Sequence, residues 1–258
     1  MMTIFSLTHS DSLRLKAALR GTLIHPADAD YDAARAVWNG MIDRYPALIA
    51  RCTSVADVIE TVRFAREHNL PVSVRGGGHN VAGSAIVDGG VVVDLSEMTN
   101  VFVEPASRIA RVEGGARLRD LDRATQPFGL AVPAGVVSDT GIGGLTLGGG
   151  TGWLSRKYGL TIDNLLSANV VTADGRLLKA SASTNPDLFW GVRGGGGGLG
   201  VVTSFEFRLQ PAGPDVMVAA VFYRGEDALS VLRQCRQYAA SAPDEVSILM
   251  SQGRIPAS

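Results

Sequence analysis

The chain has 258 residues, of which 46% are hydrophobic and 19% charged, and its formal net charge is −1. This composition excludes an intrinsically disordered protein, and the balanced charge argues against a broad surface for nucleic acid or anionic lipid. No apolar run reaches the ~18 residues that a membrane helix needs, and the N-terminus lacks the basic and apolar regions of a signal peptide, so we expect a cytoplasmic protein without membrane partners.

The first part of the chain is predicted to combine helices with short strands. Residues 1–44 contain helix caps and are expected to form a helical segment. After an apolar strand at 47–52, Ser54 is expected to cap a helix that begins at Val55, where apolar residues recur at helical spacing. A strand at 71–74 then leads into a glycine-rich turn.

Short strands dominate the middle of the chain. Further strands are predicted at 91–95, 101–103, 108–113 and 201–209, and helices at 118–126, 153–158 and 185–190. Asp174-Gly175 stands between two apolar runs and predicts a hairpin of strands 165–173 and 176–180. The glycine-rich stretch 141–152 is expected to be a loop.

The sequence pattern changes near Asp215. Residues 216–223, 228–240 and 246–250 are predicted as strand, helix and strand, following a linker that contains Pro211, Gly213 and Pro214. We therefore expect an N-terminal helical segment (1–44), a main domain (45–212) and the start of a second domain (213–258). About 45 residues are too few for an independent unit of that kind, which indicates a truncated chain.

Glycine is the unusual residue, because 26 of the 31 glycines lie between Gly76 and Gly200. In the hexapeptide 75–80, Arg-Gly-Gly-Gly-His-Asn, bare amides after a strand can form an anion-binding nest beside an imidazole. The alternative is a tight turn with a surface histidine, which this motif alone does not exclude.

Two further segments share this ambiguity. The uncharged glycine-rich segment 140–150 can surround a pyrophosphate with amide donors, or it can be a packed turn; its length favours a ligand. In segment 156–164, Tyr158 can stack on a ligand, and Asp163 and Asn164 can bind a ligand or cap a helix end.

Other cofactor classes are excluded. Residues 195–200 match G-x-G-x-x-G, but a helix precedes and a strand follows, which is the reverse of a dinucleotide-binding unit. No Gly-Lys pair forms a P-loop. Cys52 and Cys235 stand far apart and no histidine pair has metal-ligand spacing, so neither a disulfide scaffold nor a metal site is expected.

The three motifs, the hairpin and the segment 185–195 (Asn-Pro-Asp-Leu-Phe-Trp-Gly-Val-Arg-Gly-Gly) occur in an order that resembles the PCMH-type FAD-binding domain. Within it they resemble the berberine-bridge-enzyme-like oxidoreductases of the vanillyl-alcohol-oxidase superfamily. The resemblance covers about residues 45–212. It implies an α+β fold in which two α+β subdomains clasp an extended FAD, followed by the first elements of an incomplete substrate domain.

The resemblance also implies how FAD is held. His79 would carry the flavin covalently through a ring methyl, segment 140–144 would surround the pyrophosphate, and the backbone at Val201 and Val202 would contact adenine. The implied cofactor-binding residues are Arg75, Gly76, Gly77, Gly78, His79, Asn80, Gly83, Gly135, Asp139, Thr140, Gly141, Gly143, Gly144, Gly149, Gly150, Tyr158, Gly159, Asp163, Asn164, Val201 and Val202.

Two departures from the family pattern matter. Members with two flavin bonds carry a cysteine shortly after a Pro-Ala-Gly-Val segment, whereas here residues 133–136 are followed by Val137 and Ser138. Single attachment is therefore implied. Family members also continue through a larger substrate domain that usually holds the catalytic base, so the base remains unassigned and Tyr158 is the first candidate within this chain.

The implied function is oxidation of an alcohol or amine carbon of a small molecule, with oxygen or another acceptor taking the electrons. Two alternatives remain: a flavin-binding fragment without turnover, and a glycine-rich structural or nucleotide-binding module that holds no flavin. Bound flavin is yellow, so an absorbance spectrum separates the last alternative from the other two.

Overall fold

The computed structural model describes residues 7–213 and 215–253. The predictions for residues 1–6, Pro214 and 254–258 lie outside the described residues. The α-helices are α1 (His9–Ala18), α2 (Tyr31–Arg35), α3 (Val55–Glu67), α4 (Leu118–Thr125), α5 (Ile142–Leu147), α6 (Ser155–Tyr158), α7 (Pro186–Val192) and α8 (Ala228–Ser241). The strands are β1 (Thr22–Ile24), β2 (Leu48–Arg51), β3 (Val72–Arg75), β4 (Val91–Asp94), β5 (Val101–Glu104), β6 (Ile109–Glu113), β7 (Leu130–Ala131), β8 (Leu165–Val171), β9 (Leu177–Ser181), β10 (Val201–Arg208) and β11 (Gln210–Pro211).

The first subdomain is built on a four-stranded sheet in the order β1-β2-β4-β3. Strands β2 and β3 both run parallel to β4, while β1 is antiparallel to β2. All four residues of β4 are buried, as expected for a parallel strand covered on both faces. Helix α3, capped by Ser54 as predicted, packs its apolar face on this sheet.

The N-terminal segment contributes a strand as well as helices. Strand β1 pairs Thr22 with Arg51 and Ile24 with Ile49, so the expectation of a purely helical segment was wrong here. Three residues are too few to carry a periodic signal, and the strand exists because β2 offers it a pairing edge.

The second subdomain is an antiparallel five-stranded sheet in the order β5-β6-β10-β8-β9. The predicted hairpin is confirmed as β8 and β9, with Val171 opposite Leu177. Phe205 and Phe207 of β10 fill the core beneath the sheet. The predicted α+β fold of two subdomains is thus confirmed.

The glycine-rich stretch is not wholly a loop, because residues 142–147 form α5. Gly143 and Gly144 have poor helix propensity, but Ile142 and Thr146 are fully buried one turn apart. Tertiary packing therefore overrides the local preference.

The C-terminal prediction is only partly right. Helix α8 is confirmed, but residues 216–223 and 246–250 form no strands. Among the described residues neither segment pairs with a neighbouring strand, and an extended segment without a partner gains no ladder hydrogen bonds. No described helix is long and apolar enough to cross a membrane, and no cluster of potential metal ligands is found in the same ranges.

Candidate cofactor site

The predicted glycine segments converge on Gly114, which follows β6 and donates its N–H to Thr203 O at 2.8 Å. A Cβ added at Gly76 would lie 3.2 Å from Gly114 O, and one at Gly143 would lie 2.8 Å from the same atom. A Cβ on Gly114 would lie 2.5 Å from Val202 O. The turn after β3, the start of α5 and β10 therefore meet at one point. Gly114 was not predicted as a site residue, although the Gly114-Gly115 pair directly after a strand was an available signal.

A second close contact joins the two subdomains. Gly77 belongs to the turn after β3 in the first subdomain, and Gly141 precedes α5 in the second. A Cβ on Gly77 would lie 2.4 Å from Gly141 N, and a Cβ on Gly141 would lie 2.3 Å from Gly77 N. Only backbone fits between them, so the two glycine-rich segments form one continuous surface.

Most of the other candidate glycines are required by the protein's own packing. An added Cβ would overlap a side chain at 2.8 Å or less at Gly83 (Ile42), Gly135 (Leu145), Gly150 (Thr161) and Gly159 (Asp163). Among the described candidate glycines, Gly144 and Gly149 alone have no neighbouring atom within 4 Å of an added Cβ. Gly149 has a φ of 107°, which itself favours glycine. Gly144 thus has no packing or backbone reason to be glycine, and a bound ligand would supply one.

His79 is half-buried at the end of the hexapeptide. Its Nδ1 lies 3.0 Å from Gly77 O, and its ring stacks on Trp38 with centroids 5.7 Å apart and planes inclined by 20°. The neighbouring predicted residues support the loop: the Arg75 guanidinium donates to Ala34 O. Asn80 Oδ1 accepts from Ser84 N at 3.1 Å.

Asp139, predicted as a site residue, is paired with two arginines. Its Oδ1 accepts from Arg117 Nη1 at 2.5 Å and from Arg119 Nη1 at 2.7 Å. The hydrogen bond from Arg117, helped by the charges of both arginines, holds the pKa of Asp139 below its ordinary value. The backbone carbonyl of Thr140 accepts from Leu118 N at 3.0 Å. Asp120 Oδ2 also accepts from Arg117 N at 2.9 Å, so the formal charges of two arginines and two carboxylates cancel beside segment 140–144.

The side chains of segment 156–164 bind within the protein. Tyr158 Oη donates to Pro211 O at 2.7 Å. Asp163 Oδ2 accepts from Leu160 N at 2.8 Å, which is the capping role that the sequence also allowed. Buried Asn164 donates to Tyr158 O at 2.9 Å and to Leu160 O at 3.0 Å, and its Oδ1 accepts from Gln210. Any contact of Asp163 or Asn164 with a ligand would compete with these bonds.

A cavity of about 590 Å³ lies between α3, β3 and the adjoining ends of β8 and β10. Its walls include Val72, Val74, Val171 and Val201, with Arg66 and Asp174 at its polar positions. Val74 directly precedes Arg75, so the cavity adjoins the start of the glycine-rich turn. Predicted residue Val201 lines the cavity, whereas Val202 presents its carbonyl to Gly114.

A family model described as "FAD binding domain" matches residues 46–181, more than half of the chain. The chain belongs to this family. It is 43% identical over 200 residues to (R)-6-hydroxynicotine oxidase of Paenarthrobacter nicotinovorans, covering 78% of this chain and 44% of that protein. The chain spans about half the length of the curated relatives it matches.

Solved structures place this chain among the berberine-bridge-enzyme-like proteins. BBE-like 1 of Physcomitrella patens matches with a TM-score of 0.73 and 32% identity, over 81% of this chain and 44% of that one. Xylooligosaccharide oxidase of Myceliophthora thermophila matches with a TM-score of 0.72 and 33% identity, over 78% and 43%. The predicted family is therefore confirmed.

Proposed function

We propose that the chain binds FAD across its two subdomains, with the pyrophosphate against the turn 76–78 and the segment 140–144. The observation that carries this proposal is the backbone contact between Gly77 and Gly141 beside the open position at Gly144. Backbone amides in the first turn of a helix have no acceptors within that helix, and Gly143 and Gly144 occupy this turn of α5.

The adenine is proposed to enter the cavity lined by Val201. A purine presents apolar ring faces, which suit the valine walls described above, and polar edges, which suit Arg66 and the backbone of β10. The cavity adjoins the turn that would hold the pyrophosphate, so one extended cofactor would reach both.

His79 is proposed to carry the flavin through a covalent bond. An imidazole nitrogen would bond to the carbon of a flavin ring methyl, and the nitrogen and the carbon would each lose one proton. The two protons and the two electrons released in the step would reduce one molecule of oxygen to hydrogen peroxide, so the step balances. A second attachment is not proposed, because segment 133–138 has no thiol and Cys52 is buried in the core of the first subdomain.

The proposed reaction is removal of a hydride from an alcohol or amine carbon of a small molecule, with oxygen or another acceptor taking the electrons. Bound FAD supplies the hydride-accepting chemistry, and the protein supplies orientation and exclusion of water. The names of the relatives, among them oxidases of 6-hydroxynicotine and of xylooligosaccharide, support this class. The second candidate is flavin binding without turnover. The observation that favours it is that the chain spans about half the length of those relatives.

Tyr158 is the first residue to test for proton transfer within this chain. Its hydroxyl donates to Pro211 O at 2.7 Å, so proton transfer through it requires that bond to break. A Tyr158→Phe variant that oxidises substrate at the wild-type rate would remove it from consideration.

The test of the proposed function uses the purified chain and His79→Ala. We expect a flavin absorbance spectrum from the folded wild type, and flavin that stays with the polypeptide after acid or detergent denaturation. The variant should release all of its flavin. A colourless wild type after incubation with FAD would contradict FAD binding, whereas a yellow wild type that releases its flavin would contradict only the covalent bond.

A further inference from the structure

Residues 34–44, here called segment 34–44, lie along the turn that carries His79. Trp38 N donates to Gly78 O at 3.0 Å, and Asn39 Nδ2 donates to Val81 O at 2.8 Å. Arg44 Nη1 donates to Gly83 O at 2.9 Å. With the bond from the Arg75 guanidinium to Ala34 O, these contacts hold segment 34–44 against the turn at both ends and in the middle. The segment lies outside residues 46–181, which the family model matches.

Trp38 is the member of this segment that reaches His79. The residue as a whole is 66% exposed, yet its indole contacts the imidazole, with ring centroids 5.7 Å apart and planes inclined by 20°. Gly78 directly precedes His79, so the hydrogen bond from Trp38 N to Gly78 O fixes the backbone of Trp38 beside the histidine. Gly77 O meets the edge of the imidazole at Nδ1. The ring of His79 is therefore constrained on one face by Trp38 and at one edge by Gly77.

We infer that Trp38 is a positioning residue for flavin attachment at His79. The inference rests on the proposed function, because it requires His79 to be the attachment point. A ring nitrogen attacks through a lone pair that lies in the plane of the imidazole, so the plane must be set before the bond can form. Misplacing a reacting group by about 1 Å can cost on the order of 10²-fold in rate. Without the indole, the contact between Nδ1 and Gly77 O would remain, but no ring would face the imidazole to set its plane.

The test follows covalent incorporation in time after FAD is added to the flavin-free 258-residue chain. Flavin that remains after denaturation measures the covalent product, and quenching of flavin fluorescence measures total binding. We expect Trp38→Ala to slow covalent incorporation by about 10- to 100-fold while total binding stays within about twofold. Trp38→Phe, which keeps an aromatic face, should restore most of the rate. Trp190→Ala, which removes another indole that is 80% exposed, should behave as wild type.

Each outcome decides a different point. Equal rates for wild type and Trp38→Ala would overturn the role of Trp38 and leave the attachment at His79 intact. Loss of both covalent and reversible FAD binding in Trp38→Ala, without rescue by Trp38→Phe, would show a merely structural contact and overturn it too. A wild type that binds FAD reversibly but never covalently would contradict the attachment itself, and the role of Trp38 with it.

Discussion

Asp57 shows how a buried charge is accommodated in the first subdomain. The residue is 1% exposed at the start of α3, and its carboxylate accepts from Arg20 N at 2.9 Å and from Thr53 N at 2.8 Å. Burial alone would raise the pKa of Asp57, but these bonds and one from the Thr53 hydroxyl outweigh burial and lower the pKa. The carboxylate ties the connection before β1 to the N-terminus of α3.

We therefore expect Asp57→Asn to lower the free energy of unfolding by about 1.5–3 kcal/mol at neutral pH, the range for hydrogen bonds to a charged group. Because the folded-state pKa lies below the unfolded value of about 3.9, the stabilisation is complete above that value and is lost as pH falls through the folded pKa. Urea unfolding at neutral and acidic pH measures both effects. The exposed Asp244→Asn serves as control, and a variant with the wild-type pH dependence would contradict the assignment.

Gly144 offers the sharpest test of the pyrophosphate site. Gly144→Val adds a side chain where an added Cβ has no atom within 4 Å apart from the adjoining residues and the backbone of α5. The flavin-free chain should therefore keep its stability while FAD retention is lost. Gly143→Val is less informative, because its Cβ would meet Gly114 O and disturb folding by itself. Flavin content per chain and melting of the flavin-free protein separate the two effects. Gly225→Val, another position with open space, is the matched control, and full flavin content in Gly144→Val would refute the site.

The two cysteines lie in contrasting elements. Cys52 directly follows β2 and is fully buried, and burial raises the pKa of its thiol to about 12. Cys235 lies on α8 and is partly exposed. We expect a thiol reagent to modify one cysteine in the folded chain and two after denaturation, since the thiolate is the reactive form. Cys235→Ser should abolish the fast reaction, and two fast thiols in the native protein would show that β2 is not in a closed core.

Elements with their own end signals could be predicted from sequence. Ser54 marks the start of α3, Pro186 begins α7, and Asp174-Gly175 fixes the turn between β8 and β9. Helix α5 could not be predicted, because Gly143 and Gly144 oppose a helix and only the burial of its apolar residues enforces one. The predicted strand 216–223 failed for the opposite reason, since its apolar run favours a strand but no described neighbour pairs with it.

The candidate site was predictable to a similar degree. The hexapeptide and segment 140–150 could be identified by their glycine content, and the family resemblance assigned a role to each. Gly114 and Trp38 were missed because their importance lies in contacts between segments distant in sequence. A lone tryptophan before Asn39-Gly40 carries no signal until the fold places it on His79.

The surface of the whole molecule is uneven, because the segment after β11 exposes large apolar residues. Met217 is 96% exposed and Phe222 is 89% exposed, and Leu249 is also exposed. Exposed apolar residues of this extent favour association. We expect the 258-residue chain to self-associate with rising concentration in sedimentation experiments.

Replacing Met217, Phe222 and Leu249 together by aspartate should shift the chain towards monomer without lowering its melting temperature. Exposed side chains contribute little to folded stability, so only association should respond. A wild type that sediments as a monomer at every concentration would contradict this prediction.

Because Gly77 and Gly141 are in backbone contact, the cost of substituting one of them depends on which residue occupies the other position. Either alanine substitution alone must separate the two segments by the width of a methyl group. Once they are apart, the second substitution meets a gap that the first has already opened. The double substitution should therefore destabilise the protein by less than the sum of the two single substitutions, a coupling expected of residues in direct contact. A substitution at one position would make a substitution at the other less destabilising. Related sequences should therefore keep both glycines or replace both.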